Sequence, residues 1–180
     1  MDKYQQVFDF WFKELEPSQW FIKDESLDQI ITTRFKDLHQ QALNAELAHW
    51  REHPHGALAE IIMLDQFSRN IYRNQAQAFS ADAMALVLAQ VAIKRGFDVR
   101  LSTHERAFMY MPFMHSESPV IHEHAVELFS QSGLEQQLDF ELKHKAIIDR
   151  FGRYPHRNQL LSRQSSAQEL AFLDEPNSSF

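Results

Sequence analysis

ALAEIIMLDQFSRNIY, residues 57–72, is apolar around most of its circumference when it is wound as an α-helix. A helix of this kind is typical of the centre of a protein, so the segment predicts an element around which other helices pack. Asp65 lies at about the same helical angle as Leu58, and Arg69 follows it by four residues. Both charges therefore point toward protein. The pair can be only an orienting ion pair, or Asp65 can hold Arg69 or Asn70 toward a ligand.

Helical periodicity extends over nearly the whole chain on both sides of this segment. Apolar residues recur at three- and four-residue steps, and no convincing period-two strand is present. Proline and glycine mark the breaks between the periodic segments, and Ser102 and Ser166 each begin a capping box with a glutamate three residues later. The predicted helices run approximately over 2–15, 25–52, 57–73, 80–95, 103–115, 119–131, 134–151 and 166–174.

The short connections predict antiparallel neighbours, so we expect an all-α array of about seven or eight helices arranged as hairpins. At 180 residues the chain fits one domain over 1–180, with 174–180 as a loose tail. No internal repeat of 30 to 45 residues is evident.

Composition narrows the classes of function. With 18 Lys+Arg against 25 Asp+Glu, the net charge of −7 argues against general binding to nucleic acid or to an anionic membrane. The absence of cysteine excludes disulfides and thiol catalysis, and four scattered glycines provide no phosphate loop. The N-terminus lacks the features of a secretory signal, and no segment approaches the ~20 apolar residues of a membrane span. We therefore expect a cytoplasmic protein.

The stretch FGRYPHRN, residues 151–158, follows an apolar helical run. Gly152 suits the left-handed position that ends a helix, and Pro155 prevents its continuation. The requirements of a helix end do not explain why His156, Arg157 and Asn158 follow one another directly in the sequence.

Two other segments contain polar residues beside helix breaks or on apolar faces. Pro112 is expected to kink or end the helix at 103–115, after which His115 could cap its C-terminus. His124 shares a face with Ile121 and Leu128, as a hydrogen-bonded core histidine would.

Four distant segments thus carry polar side chains that helix packing does not require, and we hypothesise that they converge on one pocket for a small anionic ligand. Arginines hold carboxylate or phosphate bidentately, and histidines near carboxylates transfer protons. The candidate catalytic residues are His115, His156 and Glu117, and the candidate ligand-binding residues are Asp65, Arg69, Asn70, His144, Arg153, Arg157 and Asn158.

Other interpretations remain open. A metal site among the histidines is disfavoured because His122 and His124 point in different directions on a helix and no HExxH motif occurs, so we expect no metal and no cofactor. A non-enzymatic alternative is a module that binds a peptide or protein along an open groove. A third possibility is a purely structural role, with the polar residues paired to one another. The sequence leaves the oligomeric state and any reaction open.

Taken together, several stretches are similar to an uncharacterised bacterial family known as domain of unknown function 924. They are VFDFWF at 7–12, WF at 20–21, LDQFSRNIYR at 64–73, AFSADAMA at 78–85, YMPFMHSE at 110–117 and RFGRYPHRNQLLSRQSSAQELAFL at 150–173. The resemblance implies an all-helical, tetratricopeptide-like stack of hairpins and no settled activity. The family more often has proline where Ser68 stands and glycine where Ser162 stands.

Overall fold

The computed structural model describes residues 3–176 and 178, and in that part of the chain all regular secondary structure is helical. Within the described residues the nine α-helices form eight continuous segments, because the helices Pro54–Ile62 and Ser68–Ile71 are joined by a π-helical turn at Met63–Phe67. The all-α prediction of seven or eight helices is confirmed, whereas the tetratricopeptide-like arrangement stays a prediction. The α-helices are α1 (Lys3–Asp9), α2 (Glu25–Leu43), α3 (Pro54–Ile62), α4 (Ser68–Ile71), α5 (Asp82–Lys94), α6 (Thr103–Met114), α7 (Pro119–Phe129), α8 (Glu135–Phe151) and α9 (Ala167–Leu173).

The chain divides into two compact units. Unit 1 comprises Met1–Arg73 and Gln77–Pro112, and unit 2 comprises Asn74–Ala76 and Phe113–Phe180. The prediction of a single domain over 1–180 stays a prediction, and the predicted tail lies partly outside the described residues.

Unit 1 is organised around the apolar segment 57–72. α3 packs against α1 and α5, and α4 packs against α2. Leu58, Ile61 and Phe67 are completely buried. The prediction of a central helix is therefore confirmed. Pro54 occupies the first turn of α3, where its missing N–H costs nothing.

Two π-helical turns meet inside unit 1. One is Phe10–Glu14, which directly follows α1, and the other is Met63–Phe67. The rings of Phe10 and Trp11 lie 6.0 and 5.6 Å from the ring of Phe67. The widened turns thus bring large aromatic side chains into the core.

α2 is shorter than the predicted helix over 25–52. It begins at an Asp24 cap, whose carboxylate accepts hydrogen bonds from two backbone amides, and it ends at Leu43. Ala45 then has a φ of 57°, which breaks the helix, and a 3-10 turn follows at Ala48–Glu52. The apolar periodicity continued across this break, so the sequence pattern missed it.

The helix predicted over 103–115 is present as α6, and it does not end at Pro112. α6 continues through Pro112 to Met114. The N–H that Pro112 lacks would have donated to the Phe108 carbonyl, and only two residues follow the proline in the helix.

Unit 2 is built on α7 packed against α8, with α9 against the 3-10 turn Pro155–Arg157. Gly152 ends α8 with a φ of 69°, which confirms the predicted left-handed cap. The capping box of Ser166 and Glu169 is also present. Ser162 has a φ of 54°, a conformation that glycine adopts without strain.

Within the described residues, one segment, Ala76–Lys94, is long and apolar enough by length and composition to cross a membrane. The sequence analysis had expected none. In the structure this segment consists of a 3-10 turn at Ala76–Phe79 followed by α5, which packs against α3. The expectations of a cytoplasmic location and of no membrane partner stay predictions.

Candidate functional site

Arg69 lies between two aspartates of unit 1. Its guanidinium donates to both carboxylate oxygens of Asp82, at 2.9 and 3.0 Å, and to the Asp65 backbone carbonyl at 2.6 Å. The Asp65 carboxylate is 3.3 Å from the same nitrogen. Asp65 therefore contacts Arg69 as an ion-pair partner, but Asp82 takes both ends of the guanidinium fork. The sequence analysis missed Asp82.

A second carboxylate holds the other predicted polar residue of this helix. Asn70 donates to the Asp28 carboxylate at 2.8 Å, and Arg73 donates to both oxygens of the same group. Asp28 lies in the first turn of α2, so this network ties α2 to the end of α4.

Glu117 of unit 2 is a strongly held carboxylate. Arg163 donates to its two oxygens at 2.6 and 2.9 Å, and the Tyr154 backbone N–H donates at 2.7 Å. Burial by itself would raise the pKa of Glu117, but the hydrogen bonds from Arg163 and Tyr154 outweigh it and leave that pKa lowered. A carboxylate stabilised in its charged form is a poor proton donor at neutral pH.

Glu169 anchors the other end of the FGRYPHRN stretch. Arg153 donates to its two oxygens at 2.6 and 2.8 Å, and the Ser166 N–H and the Asn158 amide also donate to it. Hydrogen bonding from Arg153 is the largest cause that lowers the pKa of Glu169 to about 2, against an opposing effect of burial.

Arg157 and Asn158 are buried in the same unit. Arg157 donates to the His115 carbonyl at 3.0 Å, and its guanidinium lies 4.7 Å from the centre of the Tyr154 ring. The Asn158 side chain accepts from Arg163 at 2.9 Å. The stretch FGRYPHRN is thus part of a polar network rather than a simple helix end.

Buried and partly buried histidines of unit 2 lie beside the Tyr154 ring. The rings of His144 and His156 lie 5.8 and 5.5 Å from the Tyr154 ring. The Nδ1 of His144 donates to the Phe140 carbonyl at 2.8 Å, and burial is the main cause that lowers the pKa of His144 to about 3.

The prediction for His124 is wrong, because its side chain is exposed and His122 is the buried histidine of α7. His122 shares a face with Ala125 and Phe129 at spacings of three and seven, and both of these residues are buried. This spacing was the available signal. His122 contacts Glu141 of α8, which the sequence analysis also missed.

The predicted site residues therefore fall into two groups. Asp65, Arg69 and Asn70 belong to unit 1, and the remaining seven belong to unit 2, where Tyr154, Arg163 and Glu169 join them. Within the part of the chain that the structure describes, no group of three histidine or carboxylate side chains is arranged to hold a metal ion.

Unit 1 contains an open cleft of about 270 Å³ between the first π-helical turn and the start of α2. Its lining includes the apolar side chains Phe10, Leu15, Leu27 and Ile30. Ile30 is 45% exposed. The remaining lining residues are polar: Glu14, Gln19, Asp24, Ser26 and Arg34.

Comparison with known proteins gives a relationship but no activity. The chain is similar to a solved structure of a protein of unknown function from Agrobacterium tumefaciens, with 37% sequence identity and a TM-score of 0.91. The match covers 95% of this chain and 96% of the Agrobacterium chain. No curated protein matches the sequence. A family model described as "Bacterial protein of unknown function (DUF924)" matches residues 7–177. The chain therefore belongs to the DUF924 family of bacterial proteins.

Proposed function

We propose that the protein is an interaction module that binds a basic amphipathic peptide segment in the unit 1 cleft. The observation that supports this function best is the exposed Ile30 side chain, which lies in a cleft whose other apolar lining residues are largely buried. A peptide that covers Ile30 with its own apolar side chain removes both surfaces from water, which is the main source of affinity in such grooves.

The charge around the cleft favours a peptide of positive charge. Residues 14–28 contain five carboxylates and one lysine, and pairing of Glu14 with Arg34 and of Asp28 with Arg73 leaves three carboxylates, Glu16, Asp24 and Glu25. Arg34 is held by Glu14 through two hydrogen bonds, one of them 3.0 Å long, and lies over the Phe10 ring at 4.6 Å, so its charge is largely balanced. An acidic rim attracts lysine and arginine and repels acidic segments.

The contacts favour this proposal over the small-anion site that the sequence analysis put first. Arg69, Arg153 and Arg163 are each held by a carboxylate through two hydrogen bonds, so an incoming anion must displace an acid from each of them. Proton transfer by His115, His156 and Glu117 is a weaker proposal for the same reason, since Glu117 is held as a carboxylate. For these residues the pairing supports the structural alternative.

The proposal is tested with a fluorescent 15-residue peptide in which lysine and leucine form the two faces of a helix, using fluorescence anisotropy. Burying an isoleucine contributes about 1.5–3 kcal/mol, so Ile30→Asp should weaken binding at least tenfold. Val87→Asp is the matched control, because Val87 is 54% exposed on α5 and does not line the cleft. It should bind like the wild type.

Two further measurements distinguish specific binding in the cleft from nonspecific binding. An otherwise identical peptide with glutamate in place of lysine should not bind, and affinity for the lysine peptide should fall as salt screens the rim. Equal binding by wild type and Ile30→Asp, or equal binding of the two peptides, would refute the proposal.

A further inference from the structure

His122 and Glu141 form a completely buried pair in unit 2. Both side chains have no exposed surface, and the Nδ1 of His122 lies 2.6 Å from the Oε1 of Glu141. On the other side of the ring, Nε2 lies 2.8 Å from the Ser116 carbonyl and 3.2 Å from the Tyr154 hydroxyl. Every hydrogen-bonding atom of the imidazole is thus directed at a defined partner.

These partners fix where one proton of the ring must be. A carbonyl oxygen only accepts hydrogen bonds, so Nε2 must donate to Ser116. The Tyr154 hydroxyl has one proton, which it donates to the Met114 carbonyl at 2.6 Å, so it too faces Nε2 as an acceptor. Nε2 therefore carries a hydrogen in the folded protein.

The other side of the ring then holds one shared proton. With Nε2 protonated, a neutral His122 presents a lone pair at Nδ1, and an ionised Glu141 would present a second lone pair to it. A proton between Nδ1 and Oε1 removes this repulsion, whether it resides on the nitrogen or on the oxygen. The second carboxylate oxygen, Oε2, is buried without a hydrogen bond to any described residue, which further disfavours an ionised Glu141 beside a neutral ring.

We propose that the His122–Glu141 pair is a buried proton-binding site that makes unit 2 less stable as the pH rises above neutrality. In the unfolded chain the histidine and the glutamate titrate near 6.5 and 4.3, so the two together hold no titratable proton above about pH 7. The folded pair holds one. Because the folded state then binds more protons than the unfolded state, each further pH unit favours unfolding.

The same count of bound protons predicts that the contribution of the pair to stability is constant at mildly acidic pH. Between about pH 4.3 and 6.5 the unfolded pair also holds one proton, on the histidine, and the contribution does not change with pH. Burial raises the pKa of Glu141, which agrees with retention of the proton near the carboxyl group.

Other titratable or charged groups lie around this pair. The charge of Lys145 favours the ionised carboxylate, but Lys145 is itself paired with Asp149. The groups that interact with the pair itself are Lys145 and His144 from α8 and Tyr154 from the segment after α8. One shell further out, Glu123 interacts with Lys145, Arg157 lies over the Tyr154 ring, and His115 and His156 interact with His144.

The test is urea unfolding of the full chain between pH 7 and 9, with Glu141→Gln as the key variant. The amide NH₂ of glutamine donates to Nδ1 without a titratable proton and so mimics the protonated pair. For the wild type the unfolding equilibrium constant should rise nearly tenfold per pH unit from this site, about 1.4 kcal/mol. Glu141→Gln should lose that dependence, whereas Glu127→Gln, an exposed change on α7, should keep it.

A second measurement does not depend on the stability of the variant. Long-range ¹H–¹⁵N spectra of the wild type should show that the His122 ring, assigned by its loss in His122→Asn, keeps constant Nδ1 and Nε2 shifts from pH 6 to 9, because the proton between Nδ1 and Oε1 is retained. If the Nδ1 shift of His122 changes between pH 6 and 9, or if Glu141→Gln has the same alkaline slope as the wild type, the proposal is wrong.

Discussion

Replacing Glu169 with glutamine is the most direct test of the polar network that holds FGRYPHRN. The carboxylate accepts from Arg153 twice, from Asn158 and from the Ser166 backbone, and it is almost fully buried. Glutamine keeps one acceptor oxygen, which can preserve the capping box, but it removes the charge and places an NH₂ group against other donors. The change therefore isolates the charge-assisted contacts from the cap.

The expected loss follows from these contacts. A hydrogen bond to a charged group contributes about 1.5–3 kcal/mol, and partial exposure of Arg153 places its share toward the lower end. We expect Glu169→Gln to lower the free energy of unfolding by about 2–3 kcal/mol. For a chain of this size that corresponds to a fall in Tm of roughly 5–10 °C.

The lowered pKa of Glu169 determines the direction in which its stabilising effect changes with pH. The folded-state pKa of about 2 lies below the ordinary glutamate value, so the stabilisation is fully present above about pH 5 and is lost as the pH falls toward 2. The difference between wild type and variant in urea unfolding should therefore shrink from pH 5 to pH 3. Glu127→Gln, at an 80% exposed side chain, is the control and should change stability by less than about 0.5 kcal/mol. A difference below that size for Glu169→Gln, or one that is constant with pH, would refute the reasoning.

Two further predictions concern the backbone and a buried histidine. Gly56→Ala would place a Cβ against the Trp50 carbonyl and should lower the free energy of unfolding by about 2–3 kcal/mol, measured by thermal unfolding. Gly96→Ala, at a φ of 68° with open space around it, should lower it by about 1 kcal/mol. A larger loss for Gly96→Ala than for Gly56→Ala would contradict this account. Because the pKa of His144 is lowered to about 3, the unfolded chain gains a proton below pH 6.5 that folded His144 does not, so stability falls with acid by up to about 1.4 kcal/mol per unit. His144→Gln should have a shallower slope in urea unfolding from pH 6 to 4, His124→Gln should keep the wild-type slope, and identical slopes would exclude this role for His144.

The helix boundaries were most predictable where a local chemical device marks them. The left-handed cap at Gly152 depends only on the local backbone, and a capping box depends only on two residues three positions apart. The sequence was therefore sufficient to predict both features. The end of α2 was not predictable from apolar spacing, because Ala45 adopts a left-handed conformation that its side chain does not favour. That conformation depends on the surrounding packing.

The candidate site was predictable only one partner at a time. Sequence identified Arg69 and Asn70 as polar residues facing protein, but Asp82 and Asp28 are 13 and 42 positions from them and look like ordinary acidic residues at helix starts. Likewise Glu117 was selected without Arg163, its main partner. Pairing between distant segments depends on tertiary structure, and that pairing is what changes the interpretation from an anion site to a structural network.

The π-helical turn at Met63–Phe67 has a consequence for how this family can vary in length. A π turn contains one residue more than an α turn, so it is equivalent to a single-residue insertion that the helix has absorbed without forming a loop. Ser68 and Arg69 donate to the carbonyls of Leu64 and Asp65 and so satisfy oxygens in the widened turn. A relative that lacks one residue here would keep the preceding helix face in place and rotate everything after it by about 100°. In such a relative, a residue aligned with Arg69 would no longer face a residue aligned with Asp82.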